Sequence, residues 1–306
     1  MLLLTGCSEH NINLPDSQII ISNTPYSEVK EDINNMLMVF YGKPINILVD
    51  AIENKTKEQA ELPTDISVMV NTSFNEIGTY VNTIANPSMA VGKQTYIIHG
   101  AITEYDVIEE QSSGINSDVE AGKGKGKWTG SGGLDRENKT TKLAINFNPE
   151  NIKTGSFVTK SSTANKITIY QKSSANEFGF SILGSGFGYN SSITKSQGVH
   201  SSIAVLVDLS VAEVLGKIAK FPYWLLTKGK PNRSIINQLS NEFLDEKLHQ
   251  KLYKISYILS LQDNSIQPTR VMTKSLREAI LRYKTAHGMR DNLNLSQRFY
   301  RSLLGG

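Results

Sequence analysis

The stretch that decides the fold is Thr-Tyr-Ile-Ile-His-Gly-Ala-Ile-Thr-Glu-Tyr-Asp-Val, residues 95–107. On an extended chain its first half is apolar on both faces, with Tyr96, Ile98 and Ile102 on one and Ile97 and Ala101 on the other. Such a run predicts a central strand covered on two sides. Gly100 removes a side chain where another backbone, expected to be a helix, comes close. The polar Thr103-Glu-Tyr-Asp that follows predicts a strand leaving the core for an exposed hairpin. His99, in mid-strand, is expected to be a hydrogen-bonded core residue rather than a metal ligand.

Working outward, residues 28–41 place Val29, Ile33, Met36, Leu37 and Phe40 at helical spacing, and Gly42-Lys43-Pro44 ends that helix. Residues 45–52 read as a buried strand. Pro63-Thr64-Asp65 sets up a helix start, with Thr64 or Asp65 as cap. The stripe Ile66, Val70, Phe74, Ile77, Val81 and Ile84 extends that helix pattern as core. Past the central strand come a strand at 142–148, a turn around Lys153-Thr154-Gly155 and a strand at 157–171. A helix at 202–220 follows, with Ile203, Leu206, Val207, Val211, Val214 and Ile218 inward, and residues 221–226 cap the domain. The class is α+β: a mixed sheet flanked by helices, with two long β-hairpins at 109–139 and 172–194 and a small all-α C-terminal domain.

The two hairpins differ. The first holds Gly122-Lys-Gly-Lys-Gly-Lys-Trp128, which puts Gly122, Gly124 and Gly126 on one strand face and Lys123, Lys125 and Lys127 on the other. Glycine beside lysine invites a phosphate-binding reading, but the Walker spacing ending in Gly-Lys-Ser/Thr is absent. The second alternates Phe178, Phe180 and Ile182 on one arm and Phe187 and Tyr189 on the other, around Gly184-Ser-Gly186. That alternation fits a membrane strand or the seam of a ring.

Composition narrows the function. A net charge of +3 over 306 residues gives no ground for a nucleic-acid partner. No apolar run reaches the ~18 residues of a membrane helix. One Cys allows no internal disulfide. There is no His-Glu-x-x-His and no Gly-x-Ser-x-Gly, so neither an enzyme nor a cofactor is expected.

Leu4-Thr5-Gly6-Cys7 resembles a bacterial lipoprotein cleavage box, in which small residues admit the peptidase and the thiol is then acylated. Only six residues precede Cys7 and none is basic, so the translation start is expected upstream. In lipoproteins of this kind Ser after the Cys, here Ser8, implies sorting to the outer membrane. Residues 1–23 then serve as lipidation box and tether.

Strand, helix, Gly-containing strand, long hairpin, strand, Thr-Gly turn, strand, long hairpin and helix resembles the order in the curli secretion-channel lipoproteins, the CsgG/HfaB family. The matching residues are 45–53, 97–105 and 143–158 around Thr154-Gly155, with the lipidation box at Cys7. The resemblance covers about residues 44–224, inside a domain at 24–226. It implies a homo-oligomeric periplasmic ring, with the hairpins joining into one barrel across the outer membrane, a pore for export and no catalytic residues. The first hairpin departs from this pattern, because it lacks an apolar row and a Lys at the bilayer midplane costs roughly 2–4 kcal/mol.

After a linker at 227–242, residues 243–306 are similar to peptidoglycan-binding three-helix domains. Helices are expected at 243–261, at 275–287 ending at Gly288, and at 295–304. Tyr283-Lys284 and Asp291-Asn292 stand where that family typically has Phe-Gln and an Asp-Gly loop. The resemblance implies peptidoglycan contact through Arg277, Arg282, Lys284 and Arg290; a helical oligomerisation domain is the other reading.

The expectation is an outer-membrane lipoprotein on the periplasmic side, forming a ring that supports export or assembly of a surface structure. Its partners would be other subunits of a secretion or appendage machine and peptidoglycan. The alternatives are a spanning export channel of curli type and a peptidoglycan-associated enzyme.

Overall fold

A computed structural model of the chain describes residues 27–56, 63–86, 88, 94–112, 136–172, 177–184, 188–194, 198–227, 229–290 and 292–306. Among these the strands are β1 (Ile45–Asn54), β2 (Val81–Thr83), β3 (Thr95–Ser112), β4 (Arg136–Asn151), β5 (Ser156–Phe157), β6 (Thr163–Lys172), β7 (Glu177–Gly184) and β8 (Gly188–Thr194). The helices are α1 (Ser27–Met36), α2 (Ser67–Asn75), α3 (Gly198–Ala219), α4 (Trp224–Thr227), α5 (Arg233–Asp245), α6 (Leu248–Ser260), α7 (Lys274–Ala286) and α8 (Gln297–Leu303). The fold is α+β.

The 95–107 stretch is the inner part of β3, inside one sheet of order β2-β1-β3-β4-β6-β7-β8, with β5 added to β4. β2, β1 and β3 are parallel, and from β3 onward every neighbour is antiparallel. β3 and β4 stay paired from Tyr96–Asn151 to Ser112–Arg136. The β3–β4 ladder therefore runs far past the end of β1, whose last partner on β3 is Ile102.

Among the described residues helices cover one face only. Tyr96, Ile98, Ile102 and Tyr105 of β3 are buried, as are Leu143, Ile145 and Phe147 of β4 and Ile167 and Ile169 of β6. Their neighbours Ile97, His99, Ala101, Ala144, Asn146 and Lys166 are half-exposed. The expected two-sided cover is therefore absent among the described residues. Gly100 is corrected likewise: a Cβ there would stand 2.6 Å from the Asn146 carbonyl oxygen and 2.8 Å from the Phe147 ring. The close backbone is the next strand, not a helix.

α3 is the central helix, lying on β4 and β6 and against α2. It is buried on nearly every side, from Ile203, Leu206 and Val207 to Val214 and Leu215. Truncating one such Leu to Ala costs roughly 2–5 kcal/mol. α1 continues into a π-helical turn, Leu37–Tyr41, closed where Gly42 at φ 76° returns its N–H to the Leu37 carbonyl.

The run from Ile66 to Ile84 is not one helix. α2 stops at Asn75, Gly78 takes φ 125°, and Val81 enters β2 beside Ile45. A helix cannot pass a residue at that φ. Ile77 and Val81 are still buried, so the helical spacing marks burial but not conformation. Asp65 does assist the start of α2, accepting the Ser67 N–H.

The expected linker holds a helix. Asn232 caps α5 by accepting from the N–H groups of Ser234 and Ile235, and Ile235, Ile236, Leu239 and Phe243 are buried. The single expected helix at 243–261 breaks between Asp245 and Leu248. The C-terminal unit is thus four helices, α5 to α8, with Phe243 stacked on Tyr300 at 4.1 Å. It docks on the first domain through Tyr257, whose hydroxyl donates to the Asp32 carbonyl, and through Lys254 over the Phe40 ring.

Candidate functional site

The uncovered sheet face carries one compact polar cluster. β1 shifts register between Val49 and Ile52, and at that irregularity Asp50 reaches the next strand. Asp50 Oδ1 accepts the Ala51 N–H at 2.8 Å, while Oδ2 lies 2.9 Å from Nδ1 of His99. Nε2 of His99 lies 2.9 Å from Glu150 Oε2 on β4. Phe157 of β5 meets the imidazole edge to face, centroids 5.8 Å apart. His99 is hydrogen-bonded, as expected, but stands 32% exposed rather than in the core.

A carboxylate only accepts, and a neutral imidazole has one N–H. Bonds from both ring nitrogens therefore need the imidazolium, or a proton kept by one carboxyl group. The Ala51 N–H, aided by the bond from His99, holds the Asp50 carboxyl below the usual carboxylate range. With both nitrogens engaged by carboxylates, no ring lone pair is turned toward a hydroxyl or thiol, as a nucleophile's base would require. The cluster ties three strands together. Glu104 and Lys166 add an ion pair on the same face, across β4. Among the described residues no group of three or more His, Cys, Asp or Glu is placed to hold a metal ion.

A second network lies under the helices. Ser73 donates to Asp208 Oδ1 at 2.7 Å, and Lys30 Nζ lies 3.1 Å from the same atom and also bonds Glu76. Burial pushes the Asp208 carboxyl up. Burial also works against the Lys30 charge, but the bonds to Glu76 and Asp208 outweigh it and leave the ammonium above its ordinary value. The network joins α1, α2 and α3 and is structural.

The residues expected to touch peptidoglycan separate into two groups. Arg277, Arg282 and Arg290 are exposed. Lys284 is 3% exposed, and its ammonium donates to the carbonyls of Asn292 and Asn294 at 2.7 and 2.6 Å. It holds the loop before α8 and is not on the basic surface. Beside it on α7 lies an open groove of about 660 Å³ lined by Glu278, Leu281, Arg282, Thr285 and Ala286. Arg282 pairs with Asp263 at 3.1 Å, both well exposed.

Of the hairpin row, Ile182 is fully buried in the core, on the strand that packs against α3. Phe178 pairs in register with Ile193, Phe180 with Ser191 and Ile182 with Tyr189. Cys7, Phe187 and the Gly-Lys run at 122–128 lie outside the described residues. The two expected hairpins close at opposite ends of the sheet: β3–β4 beyond Ser112–Arg136, β7–β8 beyond Leu183–Gly188. The connection that faces the same end as the first hairpin is the one between Lys172 of β6 and Glu177 of β7.

Sequence reasoning missed Asp50 and Glu150, which stand 49 and 51 positions from His99 and meet it only through strand pairing. The available signal for Asp50 was its charge inside the otherwise apolar run 47–52 of β1.

No family model matches the chain. A search of curated proteins also finds no match. Among solved structures the chain is similar to a dodecamer of a single-substitution PelC variant from Paraburkholderia phytofirmans. The two share 14% identity at a TM-score of 0.27, over 57% of this chain and 90% of that one.

Proposed function

We propose that this chain is an assembly protein of the bacterial outer membrane, anchored at Cys7, that builds a homo-oligomeric ring on the periplasmic side and supports export or assembly of a surface structure. The carrying observation is the half-open sheet, whose helix-free face bears half-exposed Ile97 and Ala101 beside the Asp50–His99–Glu150 cluster. Apolar side chains left half-exposed on such a face are a contact surface for a second copy. The Cys7 box supports the location. The C-terminal bundle, through Arg277, Arg282 and Arg290, attaches the ring to peptidoglycan.

The ladder's chemistry favours a ring that stays periplasmic over a spanning barrel. Its outer half carries Glu104, Asp106, Glu109 and Glu110 on β3 and Arg136, Glu137, Lys139 and Lys142 on β4. A lipid-facing row needs apolar residues at every second position.

Two measurements test this reading. Negative-stain images of detergent-extracted protein should show rings, and Cys7→Ser, expressed with its full leader, should leave the outer-membrane fraction. Several acyl chains at roughly 0.8 kcal/mol per buried methylene hold a protein where one does not. Monomers in the images, or unchanged fractionation of the variant, would overturn the proposal.

A further inference from the structure

The outer half of the sheet is a five-stranded meander, β3-β4-β6-β7-β8, and the residues at its two ends are level with each other. One rung runs Asp106–Lys142–Thr168–Ser181–Asn190, and another runs Glu109–Lys139–Gln171–Phe178–Ile193. At one end, β1 leaves β3 at Ile102, and no described strand pairs with the far side of β3 from Asp106 to Ser112. At the other end β8 is last in the sheet, with no described strand beyond it. Two open edges therefore cover the same rungs.

We infer that the ring of the preceding section closes by pairing β8 of one copy with the outer β3 edge of the next, as a parallel seam. The inference rests on that reading. The strand count fixes the polarity: with five strands alternating in direction, β3 and β8 run the same way. In a ring every copy points the same way along the axis, so neighbouring edges meet in parallel and share evenly spaced hydrogen bonds. Outer-membrane barrels are antiparallel throughout, so a seam of this kind belongs to a ring outside the bilayer.

Charge selects the partner edge. From Glu104 to Glu110 the β3 edge reads Glu-Tyr-Asp-Val-Ile-Glu-Glu, and β8 reads Gly-Tyr-Asn-Ser-Ser-Ile-Thr with no charge. Two β3 edges would set carboxylates against each other, and like charges directly opposite are destabilising. β8 also lacks the Lys or Pro that commonly protects a free edge. Two β8 edges could pair, but that contact is self-complementary and stops at a dimer, whereas β8 on β3 continues from copy to copy.

The test is disulfide trapping in the full chain. Ser192→Cys is combined in turn with Asp106→Cys, Ile108→Cys and Glu110→Cys, three registers of one parity, since side chains on a strand repeat every two residues. In rings, one of the three pairs should give a ladder of disulfide-linked oligomers under mild oxidation, while each single Cys variant gives none. Rings by microscopy with no ladder from any pair would overturn the seam and leave the ring standing. Efficient dimers from Ser192→Cys alone would show β8 paired with β8 and also overturn it. Absence of rings in the unmodified protein would remove the assembly reading and the seam together.

Discussion

Trp224 donates its indole N–H to the carbonyl oxygen of Leu304, 2.8 Å away and 80 positions along the chain. Both residues are buried. The bond fastens the last turn of α8 to the end of the α/β domain, so the C-terminal helices are part of the fold and not a module on a loose string.

Trp224→Phe keeps most of the ring and removes the N–H, leaving a buried carbonyl without its donor. Unmet buried groups cost about 1–3 kcal/mol. Urea unfolding should show a loss of that size in one transition. A separate early transition of the C-terminal helices would mean that the two parts are not cooperative.

Gly216 sits where the Tyr223 ring crosses α3, and a Cβ there would come within 2.3 Å of it. Gly216→Ala should therefore destabilise, by roughly 1–3 kcal/mol as overpacking does, despite the better helix propensity of Ala. At Gly42, where a Cβ would meet nothing within 4 Å, the cost of Ala is conformational only, from φ 76°. The melting temperatures of the two variants should rank Gly216→Ala lower.

How much of this was legible depended on what the residues report. Apolar spacing gave β3, α1 and α3, because those elements bury whole faces. It failed across residues 66–84, where Gly78 turns the chain while burial continues. It also failed at Asn232, where a polar cap opens α5 inside what composition reads as linker. Lys284 looked like surface because its charge is visible in sequence and its carbonyl partners at Asn292 and Asn294 are not. The Asp50–His99–Glu150 cluster exists only once register is set.

Lys30→Met tests the buried network, since it removes the cation beside Asp208 and leaves that carboxyl with the Ser73 hydroxyl. Removing one partner of a buried pair costs about 3–5 kcal/mol. Lys30 is raised in the folded state, so its contribution is whole below its unfolded value of about 10.5 and is lost as pH climbs through the higher folded value. Asp208 is also raised, so its contribution is present in acid and lost as pH rises through its folded value. The gap between wild type and variant should thus be full where both groups are charged and shrink in acid, once Asp208 is protonated. Unfolding midpoints from neutral pH into acid check it; a gap that widens in acid would refute the assignment.

The last prediction concerns the wall. Arg277 and Arg282 are exposed on α7, while Lys284 is committed to the loop before α8. A solvated basic face is the ordinary state of such residues, and the Arg282–Asp263 pair, exposed on both sides, contributes little to stability. Peptidoglycan stem peptides offer carboxylates, and a hydrogen bond to a charged group contributes about 1.5–3 kcal/mol. The full chain is the right reagent, because a fragment starting at Phe243 discards most of α5, where Ser240 and Asn241 bond Gln297 of α8. The protein should sediment with purified sacculi at low salt and less at high salt, where exposed charges are screened. The double variant Arg277→Glu, Arg282→Glu should lose at least tenfold in binding while its melting temperature stays close to wild type. If the double variant sediments as well as the parent, the arginines are only a solvated surface, and whatever holds the chain to the wall lies elsewhere.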